Sequence, residues 1–346
     1  MKRKILVTGG TGYIGSHTIV ELINEGYEPV VIDNLSNSSA SVIDRIKRIT
    51  GHKPGLYRMD LTDEAQLTRF MEVHTDIEGI IHFAAYKAVS ESVREPLKYY
   101  RNNLHSLINL LTAVRNRQMK FIFSSSCTVY GQPEQLPVTE SSPVKTAESP
   151  YGNTKQIAEE ILEETALAEP SLQAISLRYF NPVGAHPSAL IGEYPIGTPQ
   201  NLVPFVTQSA SGKRGPLTIH GNDYPTTDGT CIRDYIHVVD LARAHTAALR
   251  YLYSNPALYY DVFNIGTGKG YSVLEVIRVF EKTTGVKLKS TFGPRRPGDI
   301  EKVWGEVSKA EKLLGWKAEL RIEDMLASAW NWELSLPLLP GDQLAL

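Results

Sequence analysis

Cysteine is scarce in this chain, and clustered histidines and long apolar runs are missing from it. The two cysteines, Cys127 and Cys231, form no C-x-x-C pair, so we expect free thiols and no disulfide framework, zinc site or other metal. The net charge of -2 gives no excess of one sign. Neither nucleic acid nor an anionic membrane surface is therefore expected as a main partner.

The apolar segments are too short for a membrane protein. The run Ile5 to Val7, after the basic start, is shorter than a secretory signal needs, and no other segment is long enough to cross a bilayer. We therefore expect a cytoplasmic protein. With 42% hydrophobic and 21% charged residues among 346, the chain has the composition of a soluble globular protein large enough for two lobes.

Short apolar runs alternate with helical stretches through the first half of the chain. Apolar runs bounded by turn residues are typical of parallel strands covered on both faces, and the alternation predicts an α/β fold with a Rossmann-type doubly wound parallel sheet. The predicted strands are 4–7, 29–32, 79–83, 121–124 and 174–179, and the predicted helices are 16–25, 64–73, 96–117 and 150–168.

The second half of the chain differs from the first in composition and in hydrophobic periodicity. Residues 181–233 are rich in Pro, Gly and Asn, with little periodicity, which predicts a loop-rich insertion. We divide the chain into a Rossmann domain of 1–180 plus 234–265, a smaller loop-rich C-terminal domain of 181–233 plus 266–336, and a tail of 337–346. The remaining predicted elements are helices over 234–253, 273–283, 309–314 and 322–332 and a strand over 261–265.

A glycine-rich loop follows the first predicted strand and opens a helix. Glycines at 9, 12 and 15 permit a tight turn and a close approach to a pyrophosphate, which the helix N-terminus attracts. Asp33 ends the second strand at the distance typical of a carboxylate that binds the adenosine ribose. Because a carboxylate repels a 2′-phosphate and no arginine follows it, we predict NAD as the cofactor.

Two further strand ends are candidate cofactor contacts. Asp60 and Leu61 follow the third strand, where the carboxylate either holds the adenine amino group or caps a helix that begins at Thr62. Phe83 to Lys87 follow the fourth strand, where small residues permit close approach and Lys87 either bonds ribose or phosphate or is a solvated surface lysine.

Tyr151 and Lys155 are spaced i and i+4 on a predicted helix, with Ser149 as its N-cap and Pro150 at its first position. A tyrosine with a pKa of ~10 is a poor base at neutral pH. A cation about 6 Å away lowers the pKa of the phenol by roughly two units at an effective dielectric of about 20. The pair therefore indicates a general base, although the same spacing also occurs where a lysine merely lies beside a packed ring.

These residues and several later segments resemble the extended short-chain dehydrogenase/reductase superfamily and, within it, the UDP-glucose 4-epimerase family. The resemblance runs from about residue 4 to about residue 332. It is carried by Gly9–Gly15, Asp33–Ser38, Lys87–Ser92, Ser124–Gly131, Tyr151–Lys155, Arg178–Pro182, Gly221–Pro225, Arg233–His237 and Arg296–Asp299.

The resemblance implies C4 epimerisation of UDP-hexoses with a bound, recycled NAD. Tyr151 takes the proton of the sugar 4-hydroxyl, Lys155 binds the nicotinamide ribose and lowers the pKa of the phenol, and Ser126 hydrogen-bonds the same oxygen. The 4-keto sugar then turns its other face to the cofactor. Arg233 and Arg296 hold the phosphates and Asp299 the uridine ribose, although each arginine taken singly is also explained by a surface salt bridge. We interpret His237 as structural, because it lies in a β-like run that enters a helix.

The resemblance also implies the remaining members of each site. The cofactor contacts are Gly9, Gly12, Tyr13, Ile14, Gly15, Asp33, Asn34, Leu35, Ser36, Asn37, Ser38, Asp60, Leu61, Phe83, Ala84, Ala85, Lys87, Asn102, Ser124, Tyr151, Lys155, Tyr179 and Phe180. The substrate contacts are Lys87, Ser126, Cys127, Thr128, Tyr151, Tyr179, Asn181, Gln200, Asn201, Leu202, Thr218, Ile219, His220, Arg233, Arg296, Asp299 and Val303.

Departures from related families narrow the prediction. Nucleotide-sugar 4,6-dehydratases carry an Asp-Glu pair where this chain has Cys127 and Thr128, and UDP-glucuronate decarboxylases typically have a glutamate at the second of these positions. Val303 stands where a tyrosine excludes N-acetylated sugars in this family, so UDP-N-acetylglucosamine and UDP-N-acetylgalactosamine are also expected as substrates. His220 stands where an aromatic apolar residue is common, and we expect no change of reaction from it.

Partners and rival functions complete the expectations. The resemblance suggests a homodimer in which helices 96–117 and 150–168 pair with their counterparts through residues such as Leu97, Leu104, Leu107 and Leu111. The alternative is that these faces pack within one chain. Two other functions stay open: another nucleotide-sugar epimerase or oxidoreductase of the superfamily, and a dinucleotide-sensing protein without catalysis, which the intact tyrosine, lysine and serine argue against.

Overall fold

A computed structural model of the protein describes residues 2–296 and 299–336. Pro297 and Gly298 of one predicted motif, and the predicted tail 337–346, lie outside the described residues. The strands are β1 (Lys4–Thr8), β2 (Glu28–Asp33), β3 (Gly55–Arg58), β4 (Ile77–His82), β5 (Met119–Ser126), β6 (Leu172–Tyr179), β7 (Asn181–Val183), β8 (Leu217–His220), β9 (Ile232–His237), β10 (Tyr260–Ile265), β11 (Gly270–Ser272), β12 (Ser290–Gly293) and β13 (Lys302–Val303).

The helices cover both faces of the largest sheet and part of the C-terminal half. A 3-10 helix at Cys127–Tyr130 and a π-helical turn at Ala310–Leu314 add to them. The α-helices are α1 (Tyr13–Asn24), α2 (Ser41–Thr50), α3 (Glu64–Val73), α4 (Val89–Arg94), α5 (Pro96–Ala113), α6 (Pro150–Ala168), α7 (Leu202–Ala210), α8 (Val238–Ser254), α9 (Val273–Thr284) and α10 (Ile322–Ser335).

The largest sheet has seven parallel strands in the order β10-β6-β5-β4-β1-β2-β3. This confirms the predicted α/β, doubly wound sheet. Because the strands are parallel, all their carboxyl ends lie along one edge, and the strand order reverses beside β1. The crevice outside that edge is where such sheets bind ligands, and it is the edge at which β1 runs into the glycine-rich loop.

Two apolar layers hold this sheet. One layer, on the side of α1 and α8, includes Ile19, Ile122 and Leu249, all fully buried. The other layer, on the side of α5 and α6, includes Leu110, Phe121 and Leu162, also fully buried. Burial on both faces explains why the strands have near-continuous apolar runs instead of alternating patterns.

The predicted loop-rich stretch 181–233 contains more regular structure than expected. It holds β7, α7, β8 and the start of β9. β9 pairs with β7 and β13 in parallel and with β11 antiparallel, while β8 pairs with β12. These strands are two to six residues long and find partners far along the chain, so local periodicity does not reveal them.

The helix predicted over 234–253 begins later, at Val238. Residues Ile232–His237 are strand β9 instead, so the prediction was wrong at its N-terminal end. His237 lies where strand becomes helix and its ring nitrogen accepts a hydrogen bond from the backbone N–H of Val239. The structural interpretation of His237 is therefore confirmed. None of the described helices combines the length and apolarity that a membrane crossing requires.

Candidate active site

The glycine-rich loop closes tightly against the end of β4. Gly9 has φ +66°, and a Cβ atom there would lie 2.8 Å from the backbone nitrogen of Ala84. At Gly15 a Cβ atom would lie 2.5 Å from the carbonyl oxygen of Gly9. The N-cap of α1, Gly12, provides no side-chain cap, which leaves the first N–H groups of the helix available to an anion. This loop fits the pyrophosphate of a dinucleotide.

The carboxylate of Asp33 organises the segment that follows β2. Its two oxygens accept hydrogen bonds from the backbone nitrogens of Thr11 (3.1 Å) and Leu35 (2.9 Å) and from the hydroxyl of Ser38 (3.0 Å). Asp33 therefore lies directly beside the glycine loop, as predicted for a ribose-binding carboxylate. The adjoining predicted contacts Asn34, Ser36 and Asn37 belong to the same turn.

Asp60 lies beside this segment, at the end of β3. Its carboxylate accepts from the side-chain nitrogen of Asn34 at 3.0 Å and from the backbone nitrogen of Thr62 at 2.9 Å. The alternative role as a helix N-cap was wrong, because α3 begins at Glu64 and Asp63 caps it through the backbone nitrogen of Gln66. The next residue, Leu61, is buried in the core.

The loop after β4 brings Phe83 and Ala84 against Gly9 of the glycine loop, and the ammonium of Lys87 lies 6.0 Å from the centroid of the Tyr13 ring. Asn103 of α5, absent from the sequence prediction, fixes this loop: its side chain accepts from the backbone nitrogen of Tyr86 (2.9 Å) and donates to the same residue's carbonyl (3.0 Å). Asn102, which was predicted to contact the cofactor, donates to Asn103 at 3.0 Å. An asparagine inside a helix has no distinctive sequence signal, so its role was not predictable.

The predicted Tyr151–Lys155 pair lies on the first turns of α6. Ser149 caps this helix by accepting from the backbone nitrogen of Gly152 at 3.2 Å, and Pro150 occupies the first turn. The ammonium of Lys155 lies 5.9 Å from the centroid of the Tyr151 ring and donates to the carbonyl of Ser124 at 2.6 Å. Ser126 lies close enough to the phenol to lower the pKa of Tyr151. The structure thus brings the three predicted catalytic residues together at the carboxyl end of β5.

The electrostatics of the pair differ from the prediction. Burial raises the pKa of Tyr151 to about 12, and the nearby Ser126 hydroxyl only partly opposes this. Burial also lowers the pKa of Lys155 to about 7, so near neutral pH the amine carries only part of its charge. The predicted lowering of the phenol pKa by Lys155 is outweighed by burial, because desolvation acts against the charged forms of both side chains.

Tyr179 and Phe180 end β6 beside this pair. The hydroxyl of Tyr179 hydrogen-bonds to Ser124 and to the imidazole of His245. The ring nitrogen Nδ1 of His245 lies 2.8 Å from the carbonyl of Leu241. Since a carbonyl only accepts, Nδ1 carries the hydrogen and Nε2 accepts from Tyr179. His245 was missed, because one histidine inside α8 gives no spacing signal.

The predicted phosphate-binding arginines converge on one aspartate. Arg296 donates to both carboxylate oxygens of Asp299 (3.1 and 2.9 Å) and to the carbonyl of Gln200 (3.1 Å). Arg233 lies 4.0 Å from the same carboxylate. This cluster supports the predicted grouping of these residues, and the salt bridge named as the alternative for Arg296 is also formed.

Asn201 stands directly before α7 and donates to the carboxylate of Glu193 at 2.8 Å. Lys87 donates to the same carboxylate at 3.1 Å, and its side chain is 51% exposed, so it is neither fully solvated nor free. Glu193 was absent from the prediction, since the stretch around it has no periodicity or motif. Of the other predicted substrate contacts, Leu202 is the first residue of α7 and Asn181 is the first residue of β7.

The remaining predicted substrate contacts fall into two groups. Thr218, Ile219 and His220 lie on β8, where His220 donates to the carbonyl of Pro294 at 3.2 Å. Val303 is 2% exposed, in an apolar cluster that also contains Cys127 and Phe180.

Thr128 lies two residues after Ser126, the predicted catalytic serine, and its backbone nitrogen donates to the Ser126 hydroxyl oxygen at 3.2 Å. Its hydroxyl is buried and, within the described part of the chain, has no hydrogen-bond partner. A buried orphaned hydroxyl fits the predicted role of a substrate contact, because a bound ligand would satisfy it.

Comparison with known proteins identifies relatives along nearly the whole chain. The GDP-mannose 4,6 dehydratase family profile matches residues 6–329. The UDP-glucose 4-epimerase of Yersinia pestis is 50% identical over 334 residues, covering 96% of this chain and 98% of that protein.

Two crystal structures extend the similarity to three dimensions. The UDP-glucose 4-epimerase of Bifidobacterium longum, in complex with NAD+ and UDP, superposes with a TM-score of 0.91 at 47% identity and covers 96% of this chain and 99% of that one. The UDP-Glc/GlcNAc 4-epimerase of Campylobacter jejuni gives a TM-score of 0.81 at 39% identity, with 96% and 99% covered.

Proposed function

This chain belongs to the UDP-glucose 4-epimerase family, and on that premise we propose how its own residues carry the reaction. The activity is NAD-dependent epimerisation at C4 of UDP-hexoses, which interconverts UDP-glucose and UDP-galactose through a 4-keto intermediate. The observation that carries the assignment is the meeting of Ser126, Tyr151 and Lys155 at the sheet edge that also holds the glycine loop.

The cofactor is NAD, and the residues of this chain fit it. The loop from Gly9 to Gly15 would hold the pyrophosphate, and the carboxylate of Asp33 would accept from the adenosine ribose. When bound, NAD supplies the acceptor and donor of hydride at C4 and a positively charged ring. Burial raises the pKa of Tyr151 to about 12. The positive charge of the nicotinamide ring would lower this pKa again and so help Tyr151 to act as a base.

Tyr151 and Ser126 would share the proton of the sugar 4-hydroxyl. Tyr151 would accept this proton on its phenolic oxygen and return it after the 4-keto sugar has rotated to present its other face. Ser126 lowers the pKa of the nearby phenol, so its hydroxyl would orient the phenolic oxygen and stabilise its charge. Lys155 lies on the same helix as Tyr151 and donates to the carbonyl of Ser124 on β5, so its ammonium would stabilise the phenolate.

The nucleotide end of the substrate would bind between the two halves of the chain. Arg233 and Arg296 would take the diphosphate, since each offers a planar fork of N–H donors and they meet at Asp299. We propose that 1–180 plus 234–265 form the NAD domain and 181–233 plus 266–336 the UDP-sugar domain. Strand β9 (Ile232–His237) pairs with β7 of the smaller sheet, so the residues of the NAD domain would resume at Val238, where α8 begins, instead of at 234.

The name of the matching family profile, a 4,6-dehydratase, does not fit this site. Elimination of water needs acid–base groups next to the catalytic serine, as in the Asp-Glu pair of those enzymes. Here Cys127 and Thr128 occupy these positions, and burial raises the pKa of the Cys127 thiol to about 12. Neither residue is a proton carrier near neutral pH, which favours epimerisation.

We also propose that N-acetylated UDP-sugars are substrates. Val303 is small and lies in the apolar cluster with Cys127, next to the catalytic serine. The dual-specificity relative from Campylobacter jejuni shows that this scaffold is compatible with UDP-GlcNAc chemistry in that protein.

A homodimer and a cytoplasmic location complete the proposal. Leu97 and Ile108 of α5 are 78% and 43% exposed, which supports a partner on that helix. The predicted contacts Leu107 and Leu111 are buried in the core of the chain itself, so they would not reach a partner. Both cysteines are free and buried, which suits a reducing compartment.

The test is proton NMR of purified protein incubated with UDP-galactose, without added NAD. Conversion to UDP-glucose under these conditions is expected, because a recycled cofactor stays bound. A parallel incubation with UDP-N-acetylgalactosamine tests the wider specificity. Accumulation of reduced cofactor without epimer would instead indicate a dehydrogenase, and no reaction even with NAD supplied would contradict the substrate assignment.

A further inference from the structure

Glu193 joins the two halves of the active site, although it belongs to no recognised motif. Its carboxylate oxygen Oε1 accepts from the ammonium of Lys87 at 3.1 Å and from the side-chain nitrogen of Asn201 at 2.8 Å. Lys87 follows β4 beside the glycine loop, and Asn201 precedes α7 in the substrate half. One carboxylate therefore fixes two side chains with proposed ligand-binding roles.

The backbone that presents Glu193 is held rigidly. Its carbonyl accepts from the indole nitrogen of Trp332 at 2.8 Å, and a Cβ atom at the preceding Gly192 would lie 2.5 Å from that indole. Gly192 also forms an antiparallel bridge with Ala185. The side chain of Glu193 is only 12% exposed. Because its backbone is fixed and its side chain is largely covered, Glu193 presents its carboxylate at a defined position. The more exposed side chain of Lys87 and the amide of Asn201 orient towards that position.

The chemistry of the carboxylate determines how Asn201 is turned. A carboxylate only accepts hydrogen bonds, so the nitrogen Nδ2 of Asn201 must face Glu193. The amide oxygen Oδ1 and the second N–H then remain for a ligand. No side chain caps α7, so the first backbone N–H groups of this helix, next to the Asn201 amide, are left without a capping acceptor.

The same carboxylate restrains the position of the Lys87 charge. The ammonium lies 6.0 Å from the centroid of the Tyr13 ring, which belongs to the first turn of α1. The hydroxyl of Tyr13 in turn donates to the carbonyl of Gly184 at 2.6 Å, which leads back into the second half of the chain. Without Glu193 the long side chain of Lys87 would be free to sample many rotamers in solvent.

We propose that Glu193 is a positioning residue of the epimerase site, which orients Lys87 and Asn201 together before the ligands arrive. This role rests on the proposed function. Ordering both side chains in advance lowers the entropic cost of binding, so Glu193 acts on affinity for the nucleotide sugar and on retention of NAD. It acts on neither the proton of Tyr151 nor the chemistry at C4.

Substitution of Glu193 and of a matched control tests this role. Glu193→Ala is expected to raise KM for UDP-galactose about tenfold while kcat changes less than about threefold. It is also expected to lower the fraction of NAD that stays bound through gel filtration. The control is Glu281→Ala: Glu281 is similarly covered, at 19% exposed, and binds Lys287 and the backbone nitrogen of Leu288, away from all proposed ligand contacts. Its removal should leave KM and NAD retention as in the wild type.

Glu193→Gln separates geometry from charge. The glutamine keeps one oxygen that can accept from Lys87 or Asn201, so its KM should rise less than that of Glu193→Ala. If the alanine variant does not fold, the KM of Glu193→Gln tests the positioning role instead. In the double variant Glu193→Ala/Asn201→Ala the rise in KM should be smaller than the product of the two single effects, since part of the effect of Glu193 runs through Asn201. Multiplicative effects would contradict the proposal.

An unchanged KM with a lowered melting temperature would show that Glu193 only stabilises the fold. A lower KM would overturn the proposal in another way, because the carboxylate would then compete with the diphosphate for Lys87. Wild-type protein that does not convert UDP-galactose would refute the proposed function. NAD retention would still test the effect of Glu193 on Lys87 in that case.

Discussion

Tyr151 and Lys155 show how burial and charge compete within a single pair of residues. The spacing places them on one helix face, and the sequence predicts that the ammonium lowers the pKa of the phenol. In the chain itself burial dominates: it raises the pKa of Tyr151 to about 12 and lowers that of Lys155 to about 7. Geometry alone therefore brings the pair together, while burial opposes the charged form of each side chain.

Removing the phenolic hydroxyl should abolish most of the turnover without disturbing the fold. Tyr151→Phe is expected to lower kcat for UDP-galactose at least about a hundredfold, because general acid–base catalysis at C4 is lost. Retention of NAD should persist, since the glycine loop is untouched. The exposed Tyr259→Phe serves as control. NMR turnover near the wild-type level in Tyr151→Phe would show that another group is the base.

Val303 tests substrate choice at a single position. Val303→Tyr is expected to lower activity on UDP-N-acetylgalactosamine at least tenfold and to retain that on UDP-galactose, because the larger ring would occupy space near Cys127. Competing NMR assays with both sugars measure this ratio. Since Val303 is buried, retained UDP-galactose turnover also shows that the variant is folded. An unchanged ratio would remove Val303 as the determinant of specificity.

Helix α6 is an element whose start determines the position of the catalytic pair. Ser149 accepts from the backbone nitrogen of Gly152, so Ser149→Ala should cost about 1 kcal/mol of stability and let the first turn fray. Because Tyr151 lies in that turn, kcat should also fall several-fold. Ser272→Ala removes the equivalent cap of α9, a helix that does not carry Tyr151 and Lys155, and should lower the melting temperature without the same fall in kcat. Thermal unfolding and turnover of both variants provide the comparison; equal kcat in both would contradict the link.

Elements with local signals were predicted well from the sequence, and those defined by distant partners were not. The glycine loop, Ser149 and Pro150 mark their positions through turn and cap chemistry. The boundary at Val238 was missed because strand β9 passes directly into α8 with no Gly or Pro between, and the cap is His237 instead of a common capping residue. β7 and β13 are two or three residues long and pair only with β9, so nothing nearby in the sequence predicts them.

The whole molecule is expected to be a dimer. The exposed Leu97 and Ile108 lie on α5, which packs on α6 in the same chain. Sedimentation equilibrium at micromolar concentration should give twice the mass of the chain, and Leu97→Glu should shift the equilibrium towards monomer by placing a charge in the interface. Val73→Glu, at a residue 77% exposed on α3, is the control. A monomer mass for the wild type would reject the dimer.

Buried histidines make the stability of the whole molecule depend on pH. Burial lowers the pKa of His17, His82 and His245 to about 3 and that of His237 to about 4. Each is neutral in the fold but titrates near pH ~6.5 when unfolded. The unfolded chain therefore binds more protons below pH ~6.5, and the free energy of unfolding must fall as the pH drops from there towards 4.

Burial raises the pKa of Glu21, Asp234 and Asp240, and among these carboxyls Asp234 opposes the trend most. Burial raises the pKa of Asp234 to about 6, so the folded chain takes up a proton there that the unfolded chain does not, which adds stability as the pH falls below about 6. Four histidines outweigh these carboxyls, and at pH ~5.5 each histidine costs roughly 1 kcal/mol. Urea unfolding at pH 7.5 and at pH ~5.5 should therefore show a loss of several kcal/mol. His17→Phe should reduce this loss by about a quarter, whereas substitution of the exposed His52 should not; a pH-independent midpoint would mean that the histidines are already solvated in the fold.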